Sequence, residues 1–200
     1  MTIEIKWSVG DFSGGMNPKT KITLGQAKDH YDSAIKSLQK STTAKSIIDF
    51  VTGHNTLVYL VCVPGGEGEF LFPGEMDEIQ TPTIIWDPNK DFVFYSNVSK
   101  TSNIFFADKS AYQPAIVLLH EMGHCKQWLE NEPHGYEALV HSGDAGVSKI
   151  EADNLERHES PVAKQLGLPV RSHYKHFPGS GVEGALEVKE TYAGVVKKGV

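Results

Sequence analysis

The stretch Ala115-Ile116-Val117-Leu118-Leu119-His120-Glu121-Met122-Gly123-His124 constrains this chain more than any other. An unbroken apolar run leads into two histidines four residues apart, with a glutamate directly after the first. At helical pitch, positions i and i+4 lie one above the other on one face. Both imidazoles then reach a single ion at about 2.0–2.1 Å, and Glu121 stands beside the position left for a water. A histidine pair on a solvated face would need no partner. Here the apolar turn before the pair marks a core helix, where unpaired polar groups are costly. The pattern predicts a zinc site with His120 and His124 as ligands and Glu121 as the general base of a peptidase.

The rest of the chain sets bounds on that reading. Its 200 residues fit one domain, expected to span 1–200, and 40% hydrophobic content suits a globular core. A net charge of −6 without a basic cluster argues against a nucleic-acid partner. Two cysteines imply no disulfide framework; Cys125 lies about 100° around the helix from His124, which suits a small buried residue rather than a ligand. No apolar run approaches the roughly 18 residues of a membrane span. The start Met1-Thr2-Ile3-Glu4-Ile5-Lys6 lacks a signal-peptide pattern, so the chain is expected to be made in the cytosol without a cleavable signal.

Periodicity predicts a short strand at 3–7, a loop over 10–21, a Thr23-capped helix over 24–39, and a helix near 43–52 stopped by Gly53. A strand follows at 56–63, and Pro64–Gly68 is read as a turn without nucleotide-binding character. Thr83–Asp87 and Asp91–Tyr95 flank Pro88-Asn89-Lys90 and read as a hairpin, whose edge offers an extended peptide main-chain hydrogen bonds beside the metal. Pro114 suits the first turn of the metal helix, which is expected to end at Asn131-Glu132-Pro133 before a loop to 146. A further helix from about Val147 is interrupted at Pro161 and ends at Leu166-Gly167-Leu168-Pro169; the tail turns weakly helical around 183–196.

A catalytic zinc takes three protein ligands. The sequence lacks a third histidine at the spacing that would extend the motif, so the remaining ligand lies downstream; seven of the nine histidines fall in residues 120–176. Glu151, Asp153, His158 and Glu159 share one helical segment, and a carboxylate from it completes a two-histidine, one-glutamate set. A fourth ligand such as His158 or His141 would instead close the site and make the metal structural.

Residues 151–174 resemble the second signature of a zincin family of bacterial effector proteases. That family includes proteases injected by type III secretion and metallopeptidase domains attached to type VI spike proteins. Its pattern, a glutamate followed eight residues on by Gly-x-Pro and then by Arg and Tyr, is met by Glu159, Gly167-Leu168-Pro169, Arg171 and Tyr174. The core of the resemblance covers about residues 110–175, and Ser160-Pro161 departs from the unbroken helix usual there.

The resemblance implies an α+β zincin-like domain, with a small mixed or antiparallel sheet packed on the motif helix and a second ligand helix. It makes Glu159 the third zinc ligand, with Glu151 as runner-up. Tyr174 and His173 become oxyanion donors, and Arg171 a partner for a substrate carboxylate. It further implies a protein or peptide substrate, secretion into a target cell, and a secretion component or immunity protein as partner. A cell-wall peptide hydrolase and an inactive zincin-fold binding module with structural zinc are the competing readings.

Overall fold

The first two helices begin where side chains satisfy their first N–H groups. In α1 (Leu24–Leu38) the Thr23 hydroxyl accepts the Gln26 N–H while the Gln26 side chain accepts the Thr23 N–H, closing a capping box. The Ser41 hydroxyl caps α2 (Thr42–Gly53) by accepting the Ala44 N–H, and Gly53 is its last residue before the cap at His54. This computed structural model describes residues 3–7, 22–65, 68–76, 79–101, 104–144 and 147–171. The predicted loop at 10–21 and the tail, with His173 and Tyr174, lie outside the described residues.

The architecture is α+β with a small mixed sheet. Strands β1 (Ile3–Trp7), β2 (Val58–Cys62), β3 (Glu69–Leu71) and β4 (Thr83–Trp86) order as β1-β2-β4-β3. β2 is parallel to β1 and β4, and β3 runs antiparallel on the outer side of β4. The hairpin predicted across Pro88–Lys90 does not form. All four residues of β4 are buried, the pattern of an interior strand with both faces covered, so it pairs with β2 and β3 instead. After Asp87, whose carboxylate accepts the N–H groups of Gly65 (2.7 Å) and Asn89 (2.9 Å), the chain leaves the sheet. It then builds a separate antiparallel ribbon from β5 (Phe92–Thr101) and β6 (Ile104–Tyr112).

Helix α3 runs Pro114–Val140, well past the stop expected at Pro133. Proline removes one helical N–H, but packing beyond it outweighs that loss. Tyr136 is buried, with its ring edge-on to Phe70 (5.9 Å between centroids) and Phe72 (5.3 Å), so the far half of α3 is held against β3. At its start, the Trp86 indole donates to the Pro114 carbonyl (2.8 Å), tying α3 to β4. No helix among the described residues is long and apolar enough to cross a membrane.

A two-residue pairing, β7 (Gly143–Asp144) with β8 (Val147–Ser148), turns the chain into α4 (Lys149–Asn154). A π-helical turn over Leu155–Glu159 joins α4 directly to α5 (Ser160–Gln165). The wider turn lets the helix absorb Pro161 near the start of α5, where an α-helix would set its ring against a carbonyl four residues back. Gly167, at φ +67°, ends α5 as the sequence predicts. The Leu168 N–H bonds the Ala163 carbonyl (2.8 Å) and the Gly167 N–H the Lys164 carbonyl (3.2 Å), a Schellman closure. The Gln165 side chain bonds Ser41 (2.6 Å) and Thr43, docking α5 on the start of α2.

Candidate metal centre

The apolar turn anchors the motif in the core. Ile116, Leu118 and Leu119 are at most 2% exposed. Burial of such side chains stabilises by about 1.5–3 kcal/mol each, more than the roughly 1 kcal/mol of helix propensity given up at Gly123. His120 and His124 then sit one turn apart with their Nε2 atoms 3.0 Å from each other. Glu151, on α4, brings Oε2 to 3.2 Å from His124 Nε2 and 3.4 Å from His120 Nε2.

These three residues form a group able to hold a metal ion. Donors about 2.0–2.1 Å from a tetrahedral ion stand about 3.4 Å apart, close to the triangle observed. The two imidazoles are buried while the Glu151 side chain is 23% exposed, so the group has an open side.

Glu159, the ligand implied by the family resemblance, stands elsewhere. Its Oε2 is 2.9 Å from Nδ1 of His120, on the opposite side of the ring from the metal-facing nitrogen. The Arg171 guanidinium grips both of its oxygens, Nε to Oε1 at 3.0 Å and Nη2 to Oε2 at 2.5 Å, and the Tyr112 hydroxyl bonds it as well. A carboxylate with these four donors has little capacity left for an ion. Glu151, the runner-up, is the carboxylate that meets both Nε2 atoms.

The other imidazole is held from behind by a neutral group. His124 Nδ1 lies 3.0 Å from Gln127 Oε1, and the Gln127 amide donates to the Ile150 carbonyl (3.1 Å) and to Asp153 (2.7 Å). With Nδ1 of each ring beside an acceptor, each turns its Nε2 inward as the nitrogen available to a metal ion. Comparison with protein-family models and with curated proteins gave no match.

Asn154 locks the two helices together. Fully buried, it donates to the His120 carbonyl (2.9 Å) and accepts from His158 Nδ1 (2.9 Å). This contact accounts for Gly123, since a Cβ there would stand 2.1 Å from Asn154 Oδ1 and 3.0 Å from His158 Nδ1. His158 is thereby spent on Asn154, and burial pushes its pKa down to about 4. Neither it nor exposed His141 joins the metal group among the described residues.

Charge in the ion-free protein follows from burial and pairing. Burial would lower the His120 pKa, but hydrogen bonds to Glu151 and Glu159 outweigh it and raise the value to about 10. Burial would raise both carboxylates, and these same contacts, with the Arg171 charge on Glu159, hold them below the usual range. Burial raises Glu121 against the opposing influence of the two histidines.

Glu121 also marks the approach of β3. A Cβ on Gly68, just before that strand, would stand 2.4 Å from Val117 Cγ1 and 3.0 Å from Glu121 Oε1. The edge strand beside the site is therefore Glu69–Leu71, not either arm of the predicted hairpin. Tyr136 shares this side: burial first, then the charges of Glu151 and Glu121, push its phenol pKa up. Sequence reasoning missed Gly68, Gln127, Asn154 and Tyr136. Helical spacing offered a signal for two of them, Gln127 three residues after His124 and Asn154 three after Glu151.

Proposed function

We propose that this chain is a zinc-dependent endopeptidase of the zincin type, with His120, His124 and Glu151 as ligands and Glu121 as general base. The observation that carries the reading is the placement of Glu121 beside the two-histidine, one-glutamate group, where it meets the approach of β3, the outermost strand of the described sheet. Zinc suits two imidazoles and a carboxylate, and when bound it supplies a Lewis acid and brings the pKa of a coordinated water towards 7.

The protein's part is orientation and proton transfer. An extended peptide pairs with the outer edge of β3, which puts a scissile carbonyl beside Glu121. Glu121 takes the proton of the attacking water and delivers it to the leaving amine. Its burial favours this by lifting its basicity towards the working pH. Tyr136 is the phenol on the described side able to donate to the developing oxyanion, a role the resemblance gives to Tyr174 or His173. The effector setting rests on the resemblance of residues 151–174: delivery by a specialised secretion system, and a target-cell protein as substrate.

The test compares the zinc-loaded protein with Glu121→Gln on host-cell and bacterial-envelope extracts, mapping new peptide termini. Glu121→Gln is expected to keep its zinc and lose activity by about 10²–10⁴-fold. Parental activity in that variant sinks the mechanism. New termini confined to cell-wall peptides would move the substrate to the envelope, and their complete absence would favour an inactive zincin-fold module.

Gly68→Ala tests the close approach at β3. Val117 and Glu121 must give way to the added methyl, so turnover should fall about 10- to 100-fold at unchanged zinc content. Unchanged turnover on a defined peptide would show that Glu121 does not depend on this contact.

A further inference from the structure

We propose that Glu159 and Arg171 form one positioning unit for the metal group. Arg171 pins Glu159 behind His120, and Glu159 sets the tautomer, orientation and donor strength of that imidazole. The inference rests on the metal-site reading above and adds residues that touch neither the ion nor a substrate.

Three features of the contact support it. First, the guanidinium matches both carboxylate oxygens, so Glu159 is fixed in direction as well as charge. Arg171 is fixed in turn: its N–H bonds the Tyr112 hydroxyl (3.2 Å) and its guanidinium lies 5.1 Å from the Phe92 ring centroid. Second, Glu159 accepts the His120 Nδ1 proton, leaving Nε2 as the only lone pair that ring can offer. Asn154 Nδ2 also approaches Nδ1, at 3.3 Å, but donates its better bond to the His120 carbonyl at 2.9 Å.

Third, the pair is neutral as a whole. With Glu159 cancelled by Arg171, Glu151 and Glu121 are left as the carboxylates nearest the two histidines among the described residues, and their two negative charges match one divalent cation. Glu159 thus strengthens His120 as a donor without adding net charge to the site. The partner behind His124 is the neutral Gln127, so the two imidazoles are unequal donors.

An ion pair that only stabilises the fold behaves differently from a positioning unit, and paired substitution separates the two. Either single change, Glu159→Gln or Arg171→Met, strands a buried partner and lowers thermal stability. The double variant removes both charges and should regain the parental melting temperature, measured in chelator. Zinc affinity, read by competition with a chromophoric chelator, should nevertheless stay about 10- to 100-fold weaker than in the parent. The visible absorption of Co²⁺-loaded protein should also differ between parent and double variant.

Recovery of zinc affinity together with melting temperature would reduce the pair to a structural ion pair and overturn the proposal. Should Arg171→Met fail to fold alone, the double variant and Glu159→Gln still give the comparison. If the parent takes up neither Zn²⁺ nor Co²⁺, this inference and the peptidase reading both fall. If it binds them but cleaves no peptide, only the peptidase reading does.

Discussion

Glu151→Ala is expected to yield a folded protein that retains little zinc after dialysis. Glu151 supplies the only carboxylate oxygen facing both Nε2 atoms among the described residues, and its side chain is partly solvent-exposed, so its loss costs the fold little. Two imidazoles without the third donor bind zinc far more weakly than a complete site. Glu159→Gln should lose about 10- to 100-fold in affinity, the scale for a group behind a ligand, and still load in excess zinc. Elemental analysis of the purified variants decides. The reverse result, with zinc kept by Glu151→Ala and abolished by Glu159→Gln, would restore Glu159 as the ligand.

Gly123→Ala should lower stability and metal affinity together. An added Cβ gains about 1 kcal/mol of helix propensity but lands 2.1 Å from Asn154 Oδ1. Asn154 cannot step aside, because it is fully buried and bonded to both His120 and His158. Overpacking of this kind costs about 1–3 kcal/mol, and breaking the bond to the His120 carbonyl adds about 1 kcal/mol more. A net loss of about 2 kcal/mol corresponds to a melting point lower by roughly 4–8 °C for a chain of this size. The displaced helix also carries Glu151, so zinc affinity should fall in parallel. Adding Asn154→Ala should relieve the collision; if stability then drops further instead of recovering, the clash is not the cause.

What could be read from the sequence was local. Thr23 marks the start of α1 through side-chain bonds formed within three residues, and the motif helix advertises itself through five consecutive residues. Strand partners are non-local, so the same residues at 83–87 suit a hairpin arm or an interior strand until β2 and β3 compete for them. β3 is three residues long, too short to show a period, and Tyr136 was hidden because Pro133 reads as a stop.

The carboxylates illustrate a different limit. Glu151 and Glu159 share a segment, but ranking them from sequence assumes a constant pitch. The π turn breaks that phase between them, sending one to the metal side and the other behind His120. The resemblance made Glu159 the ligand and Arg171 a partner for a substrate carboxylate, whereas the two meet in a buried pair behind His120.

That wide turn has a counterpart in the coding sequence. A π turn is what a helix makes of one residue too many, so a single-codon deletion between Leu155 and Arg157 would let the helix close to ordinary pitch. Later residues would then keep their phase relative to Glu151, because four residues at ordinary pitch sweep about the same angle as five in the wider turn. Glu159 would keep its place behind His120 and Gln165 its partners on α2, whereas the same deletion inside α4, which has no extra residue to give up, would turn both away by about 100°. The wide turn is thus a place where this helix could lose a residue without disturbing the metal centre.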